Sequence, residues 1–255
     1  LREIFIPSSV KIIECYAFKS CISLKHVTIP SSIQRIENDC FRKCQSLTTI
    51  TLPSTIQLIG KQSFENCISL KEIFVSDQSN NHDLIIEDCA FNYCQLLKQI
   101  PILSFCKHIG SESFNCCASL EKIIIPPSIT TLQSSVFSGC KSLTEITIPP
   151  TIKSIEQHAF RKCSSLKKVL IQKSPLTKIN LGVFDSCSSL IEINIPPTVE
   201  EICKNAFYGC ESIKIMKIPS SVKIIGESAF ENCKLLTQIN IPSNLSEIGS
   251  SAFKK

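Results

Sequence analysis

Cysteine is the residue type with the most chemistry to offer in this chain: sixteen occur in 255 residues, beside four histidines. Such density ordinarily signals a disulfide framework or a metal site. Cys106-x-His108, followed by Cys116 and Cys117, has the ligand types that hold zinc, and a thiol beside an imidazole is also a route to nucleophilic catalysis. Position argues against both. Cys21, Cys44, Cys67, Cys94, Cys117, Cys140, Cys163, Cys187, Cys210 and Cys233 all occupy one place in a periodic pattern. A residue that returns at one position of a stack is a core group, and free cysteine packs as a small hydrophobe. Parallel neighbours would hold their Cβ atoms near ~4.8 Å, beyond the ~3.8 Å of a disulfide, so reduced thiols are expected. Cys117 belongs to this column, and Cys106 stands where other units have Val or Ile, so core packing is their expected role. Cys15, Cys40, Cys89, Cys116 and Cys203 lie outside the column, and His26, His82 and His158 fall in different units without a regular partner. The sequence contains no Gly-rich phosphate loop, His-Glu-x-x-His or Gly-x-Ser-x-Gly. A non-catalytic chain with no metal or cofactor is therefore expected. Asn244-Leu245-Ser246 is a lone glycosylation sequon.

The elements that position these residues are set by phenylalanine. Phe18, Phe41, Phe64, Phe91, Phe114, Phe137, Phe160, Phe184, Phe207, Phe230 and Phe253 are separated by 23 residues, except for one gap of 27 and one of 24. A fixed period of this size means one supersecondary unit stacked on copies of itself. Leu or Ile follows each Phe at six residues. Two apolar positions separated by one come next (Val27 and Ile29, Ile146 and Ile148), then often Pro, then two apolar positions three apart (Ile33 and Ile36). The alternation predicts one short strand per unit, and Pro ends it because it lacks a backbone donor. The Phe-x-x-Cys-x-x-Leu spacing predicts a single helical turn that returns the chain. The expected fold class is an α/β repeat solenoid, right-handed, with a parallel sheet on the concave side and short helical turns on the convex side. Residues 1–255 would form one array of about eleven units.

Composition agrees with a folded array. The chain is 43% hydrophobic and 19% charged, with a net charge of +5 from 27 basic and 22 acidic residues. That balance is too mild for nucleic acid or an acidic membrane, and no apolar run reaches the ~20 residues of a membrane span. The pattern starts in mid-unit at Leu1 and stops at Lys255 before the next Cys and Leu, without polar capping units, so a piece of a longer array is expected. Pro is missing after the strand at Ser76, Leu103 and Gln172. The long gap places its extra residues in a polar loop, Ser76 to His82, and the 24-residue gap places one near Lys173-Ser174-Pro175.

The recurring Leu-x-x-Ile-x-Ile-Pro-Ser-Ser-Val-x-x-Ile-x-x-x-Ala-Phe-x-x-Cys stands complete from Leu1 to Cys21 and returns from Ile213 to Cys233 with Ile213 and Met216 exchanged. It resembles the BspA-type (Treponema-type) leucine-rich repeat along the whole chain. The Ile-, Lys-, Ser- and Asn-rich style is similar to surface BspA-like proteins of parasitic protists. The resemblance implies a leucine-rich-repeat horseshoe and, for many members, cell-surface proteins that adhere to host cells, matrix or other microbes. It brings no catalytic residues.

What differs between units is the solvent-facing part of the strand. Ten residues after each Phe stand Thr28, Thr51, Phe74, Pro101, Ile124, Thr147, Leu170, Asn194, Lys217 and Asn240, with Phe5 at the same place in the first strand. Apolar entries concentrate before residue 171, and an outward Phe or Ile often marks a contact surface. Seven residues after Phe a basic column carries Lys25, Lys71, Lys98, Lys167 and Lys214, with Arg2 ahead of them. Phe5, Thr28, Thr51, Phe74, Ile124, Thr147 and Leu170, with Lys25, Lys71, Lys98 and Lys167, are the candidate ligand-binding residues. A mixed apolar and basic strip suits an acidic protein or glycan surface as the ligand of the concave face, and no nucleic acid is expected. The expected setting is the cell surface or exterior, with a cytoplasmic protein-interaction scaffold as the alternative.

Overall fold

A computed structural model describes residues 2–76 and 84–255. The loop expected at Ser76 to His82 therefore falls, beyond Ser76, outside the described residues. Two compact units, Leu1–Ser128 and Ile129–Lys255, each form a parallel β-solenoid whose coils repeat about every 23 residues. In the first unit the apolar alternation produces strands Glu3–Phe5, His26–Thr28, Thr49–Pro53 and Glu72–Ser76, paired in that order. In the second it produces Glu145–Ile148, Lys168–Ile171 and Glu192–Ile193, and separately Ile215–Lys217 with Gln238–Asn240.

From the second coil on, each coil contributes a strand at this further place, which the expectation of one strand per unit missed. In the first unit these are Arg35–Ile36, Leu58–Ile59, Leu84–Ile86 and Cys106–Ile109. In the second, Thr131–Leu132 pairs Ser154–Ile155, and Lys178–Ile179, Glu201–Ile202, Ile224–Ile225 and Glu247–Ile248 form another ladder. The apolar pair three apart explains them. After the first strand, Pro30 accepts a bond from the Ile33 N–H at 3.0 Å and closes a β-turn. Ile33 is thereby buried at the turn, and Ile36 enters the second strand facing the core.

The Phe-x-x-Cys run is not helical, which corrects the expected convex helical turns. Ala17, Lys19 and Cys21 donate N–H bonds within their own coil, to Glu14, Tyr16 and Phe18. Tyr16, Phe18 and Ser20, between them, donate to Asn38, Cys40 and Arg42 of the next coil. A helix would turn every N–H inward along its own axis. Here every second one is sent outward, which needs left-handed backbone two residues before and two after Phe. Tyr16 and Ser20 have φ of 65° and 60°, Asp39 and Lys43 56° and 61°, and the later coils repeat this. A left-handed residue other than Gly costs about 1–2 kcal/mol, offset by the inter-coil bond it releases. Among the described residues the one helix is the 3₁₀ segment Pro101–Phe105.

The core is built of stacked columns. Consecutive Phe rings lie parallel, for example Phe64 on Phe91 at 5.0 Å and Phe184 on Phe207 at 5.5 Å between centroids. The cysteine column is more than packing. The Cys44 thiol donates to the Phe18 carbonyl at 3.0 Å, Cys67 to Phe41 at 3.1 Å, Cys94 to Phe64 at 3.2 Å and Cys210 to Phe184 at 3.2 Å. Each of these sulfurs thus ties its coil to the one before it while packing in the core.

One residue past Phe a polar column runs through the first unit. Arg42 donates to Asp39 at 2.9 Å and its Nε lies 2.7 Å from Glu65 Oε2, close enough for an ion pair although the N–H is not aligned as a hydrogen bond. Asn92 donates to the other Glu65 oxygen at 3.3 Å, and Asn115 to Asn92 at 3.1 Å. Glu65 and Asn92 are buried. Replacing Glu65 with Ala takes one carboxylate from Arg42, which keeps Asp39, and the acceptor from Asn92. The expected loss is about 2–3 kcal/mol, below the ~3–5 kcal/mol of a fully buried pair because Arg42 keeps some solvent and its second partner. Chemical denaturation of Glu65→Ala against Glu65→Gln checks this; the amide keeps an acceptor for Asn92 and should lose less.

Candidate surface for ligand binding

Period-two alternation decides which side chains leave the core. In strand His26–Thr28 the middle residue is buried and the outer two exposed, and Glu145–Ile148 and Lys168–Ile171 alternate likewise. The candidate column lands on the exposed face. In the first unit Phe5, Thr28, Thr51 and Phe74 are direct register partners in four successive strands. Phe5 is 85% exposed and Phe74 49%, so two large rings stand on the face with two threonines between them. In the second unit Thr147 and Leu170 are direct partners. Ile124 stands apart from both groups and is 68% exposed.

The basic column is held by the backbone. Lys25 donates its N–H to Arg2, Lys71 to Thr48, and Lys98 to Lys71, so these residues stack at one edge of the face. Lys25, Lys71, Lys98 and Lys167 are exposed, and among the described residues none has a carboxylate within ion-pair distance. Elsewhere the common lysine arrangement is a cross-coil pair, as in Lys178–Glu201 at 2.6 Å, Lys204–Glu227 at 2.9 Å and Lys234–Glu211 at 2.8 Å. On the face itself His26 Nδ1 lies 2.7 Å from Thr49 Oγ1.

Several features escaped the sequence. Asn194 and Asn240, which share the candidate column, are backbone clamps. Asn194 accepts the Ile171 N–H at 2.8 Å and donates to the Ile171 carbonyl at 2.6 Å; Asn240 does the same to Ile218 at 2.9 and 2.7 Å. The side-chain amides extend the inter-coil bonding past the end of the backbone pairing, and Asn at two equivalent positions was the available signal. Ile191 and Ile215 are also large exposed apolar residues, seven residues after Phe184 and eight after Phe207 rather than ten. They flank the break in the second unit's first sheet, between Glu192–Ile193 and Ile215–Lys217.

The first unit's sheet has its own break. Among the described residues no strand pairing continues from Glu72–Ser76 into the next coil, where Pro101 begins the 3₁₀ turn. Pro has no N–H to donate to the ladder, and Ile100 C=O is taken by Leu103 N–H at 3.1 Å. A cleft of about 540 Å³ opens between residues 99–104 and 122–127, lined by Pro101, Leu103, Ile124 and Pro126 among others.

The imagined zinc residues are separately engaged. Cys106 is buried with its thiol 3.4 Å from the Ile102 carbonyl, His108 is exposed, and Cys117 donates to Phe91 at 3.3 Å. Burial pushes the Cys106 and Cys117 thiols up, away from the thiolate a metal needs. Among the described residues no helix is long and apolar enough to cross a membrane.

Comparison with known proteins places this architecture. A leucine-rich repeat protein from Bacteroides ovatus is similar at 26% identity, over 95% of this chain and 80% of its own, with a TM-score of 0.57. A leucine rich cell surface protein from Faecalibacterium prausnitzii is similar at 27% identity over 94% of this chain and 79% of its own, TM-score 0.54. The pneumococcal vaccine antigen PcpA is similar at 25% identity over 100% of this chain and 67% of its own, TM-score 0.64. A search of curated protein sequences finds no match. The family model for the BspA type leucine rich repeat region matches in six copies, over residues 1–85, 79–187 and 168–255. With that pattern covering every coil, and its Phe and Cys positions forming the stacked core, the chain belongs to the BspA-type leucine-rich repeat family.

Proposed function

We propose that this chain is a cell-surface adhesion module and that the outward face of the first sheet binds a protein ligand. The observation that carries the reading is Phe5 and Phe74, held in one register column with Thr28 and Thr51 and edged by Lys25 and Lys71. Large exposed rings beside unpaired cations cost solubility and suit a partner with apolar and acidic surface. Leu170 and Thr147, with Lys167, present a smaller version on the second unit. The surface setting is supported by the Faecalibacterium relative. A cytosolic protein-binding scaffold is the second reading, favoured by sixteen cysteines that are all free thiols. Antibody labelling of intact against permeabilised cells separates the two locations.

The binding test uses the fluorescently labelled chain on cultured epithelial monolayers. Phe74→Asp and Lys71→Glu are each expected to reduce retention about tenfold, the loss typical of an anchor residue worth more than about 1 kcal/mol. Both positions are exposed, so circular dichroism and thermal midpoint should stay within error of the unchanged chain. Equal retention of all three proteins removes the face from the reading.

A further inference from the structure

We propose that the cleft beside Pro101 binds an extended peptide segment of a protein partner by strand addition, with an aliphatic side chain in the cleft and an acidic one against Lys122. This deepens the protein-binding reading above and rests on it.

The backbone makes the argument. In paired coils the residue eight after Phe donates its N–H back to the preceding coil, as Thr49 does to Lys25, and the residue ten after Phe offers its carbonyl back, as Thr51 does to Ile29 at 2.9 Å. The equivalent residues here are Lys122 and Ile124. Their expected partners lie in the coil that carries Pro101. For Lys122 the equivalent acceptor is the Lys98 carbonyl, which takes the Glu121 N–H; for Ile124 the partners would be the Ile100 carbonyl, already used by Leu103, and the Ile102 N–H, wound into the 3₁₀ segment. Among the described residues, no backbone bond joins 122–125 to 99–102, although the coils are tied immediately before, where Glu121 donates to Lys98 at 3.2 Å. Segment 122–125 therefore presents a strand edge, with donors and acceptors at alternate residues, inside a sheet and next to a cavity.

An unpaired edge is complementary to another extended backbone. Main-chain bonds would give the affinity and the cleft the specificity. The cleft walls are Pro101, Leu103, Ile124, Ile125 and Pro126, so they accept an aliphatic side chain. Among the described residues Lys122 is the single charged one that lines it, and no carboxylate does. That asymmetry selects an acidic side chain beside the aliphatic one. The volume of about 540 Å³ holds a few residues, not a folded domain.

The proline itself supplies the discriminating variant. Pro101 sits ten residues after Phe91, the place that Ile124 holds after Phe114, so the fold already accepts proline there. Ile124→Pro removes one backbone donor and keeps an apolar side chain; Ile124→Val keeps the donor and trims the side chain. The probe is a phage library of random dodecapeptides selected on the intact chain, with the Ile124→Asp chain as counter-selection. Enriched peptides are then synthesised and titrated by fluorescence anisotropy. Alternating aliphatic peptides with at least one Asp or Glu are expected. Ile124→Pro should weaken them tenfold or more, Ile124→Val no more than about threefold, and Lys122→Glu tenfold. Hydrogen exchange at the Lys122 and Ile124 amides should slow in the complex. No enrichment over the counter-selection overturns the proposal, and so does equal binding by Ile124→Pro and Ile124→Val, which would leave a groove read by side chains alone. Loss of cell retention in Phe74→Asp with peptide titration unchanged would keep the face and the cleft distinct; failure of the monolayer test alone leaves the peptide result standing.

Discussion

Above pH 9 this protein is expected to lose stability steeply and to unfold before pH 11, under reducing conditions. The cause is the cysteine ladder. Burial pushes the thiols of Cys67, Cys94, Cys187 and Cys210 well above their ordinary range, and those of Cys44 and Cys163 up to about 12. In the unfolded chain the same thiols ionise near ~8.5. Below that pH both states are protonated, and the thiols give no pH dependence. Above it the unfolded state releases protons that the folded state still holds, so stability falls as pH rises, and it continues to fall until the folded values are reached. Each such thiol contributes a slope of about 1.4 kcal/mol per pH unit. Four of them together give on the order of 5 kcal/mol per unit, as much as a modest domain's whole stability. Denaturant midpoints should be flat from pH 6 to 8 and collapse above 9. Cys94→Ala should reduce the alkaline slope by up to one proton's worth, at a cost of about 1 kcal/mol at neutral pH for the lost bond to Phe64. Stability that stays level to pH 11 would show that the column is not a protonated buried ladder.

Phe91→Ala should cost about 3–5 kcal/mol, the range for emptying a buried aromatic site. Phe91 is fully buried, with Phe64 at 5.0 Å on one side and Phe114 at 5.4 Å on the other. Two stacking contacts vanish with the ring, each worth about 0.5–1.5 kcal/mol beyond area burial, so the upper half of the range is expected. Stacked coils limit relaxation, because the backbone on both sides is hydrogen-bonded at fixed spacing: Phe64 N–H to Ala90, Phe91 N–H to Ser113. Phe91→Leu should cost less, about 1–2 kcal/mol, since it keeps most of the volume. Phe5→Ala is the control in the same residue type. Phe5 is 85% exposed, and its loss should stay within about 0.5 kcal/mol. The three variants compared by urea unfolding test whether the ladder, and not phenylalanine content, holds the first unit together. Similar losses for Phe91→Ala and Phe5→Ala would contradict it.

The alternation that marks Val27 and Ile29, or Ile146 and Ile148, was enough to assign the first strand and its exposed neighbours, because a buried face leaves a period of two in the residue types themselves. Ile33 and Ile36 were visible as apolar positions but not as a strand. Two residues of pairing, Arg35–Ile36, are too short to alternate detectably, and only the neighbouring coil supplies their hydrogen bonds. The Phe-x-x-Cys run was misread as helix for a related reason. Spacing of three records which side faces the core; it says nothing about where the N–H groups go. The left-handed residues could have warned of the ladder had they all been Gly or Asn. Lys43, Glu112 and His158 hold the same conformation as Asn66 and Gly139, so composition hides it.

At the candidate surface the division is similar. Phe5 and Phe74 were legible as outward because their place in the period is unambiguous. Asn194 was legible as outward too, yet its amide is spent on Ile171, an attachment that depends on the distance between two coils. Ile191 and Ile215, seven and eight residues after Phe, stand at outward places too, and both lie beside a break in the sheet. Repetition alone determined the family, the stacked core and the parallel sheets, since every coil must bury the same positions against its neighbours and so writes the same pattern. Tertiary structure decided where the pairing fails. Whether Ile124 has partners depends on how the preceding coil spends its own carbonyls and N–H groups, and the 3₁₀ turn at Pro101 spends the Ile100 carbonyl locally. A hydrogen-bond deficit is a property of two segments brought together in space, so no single stretch of residues records it.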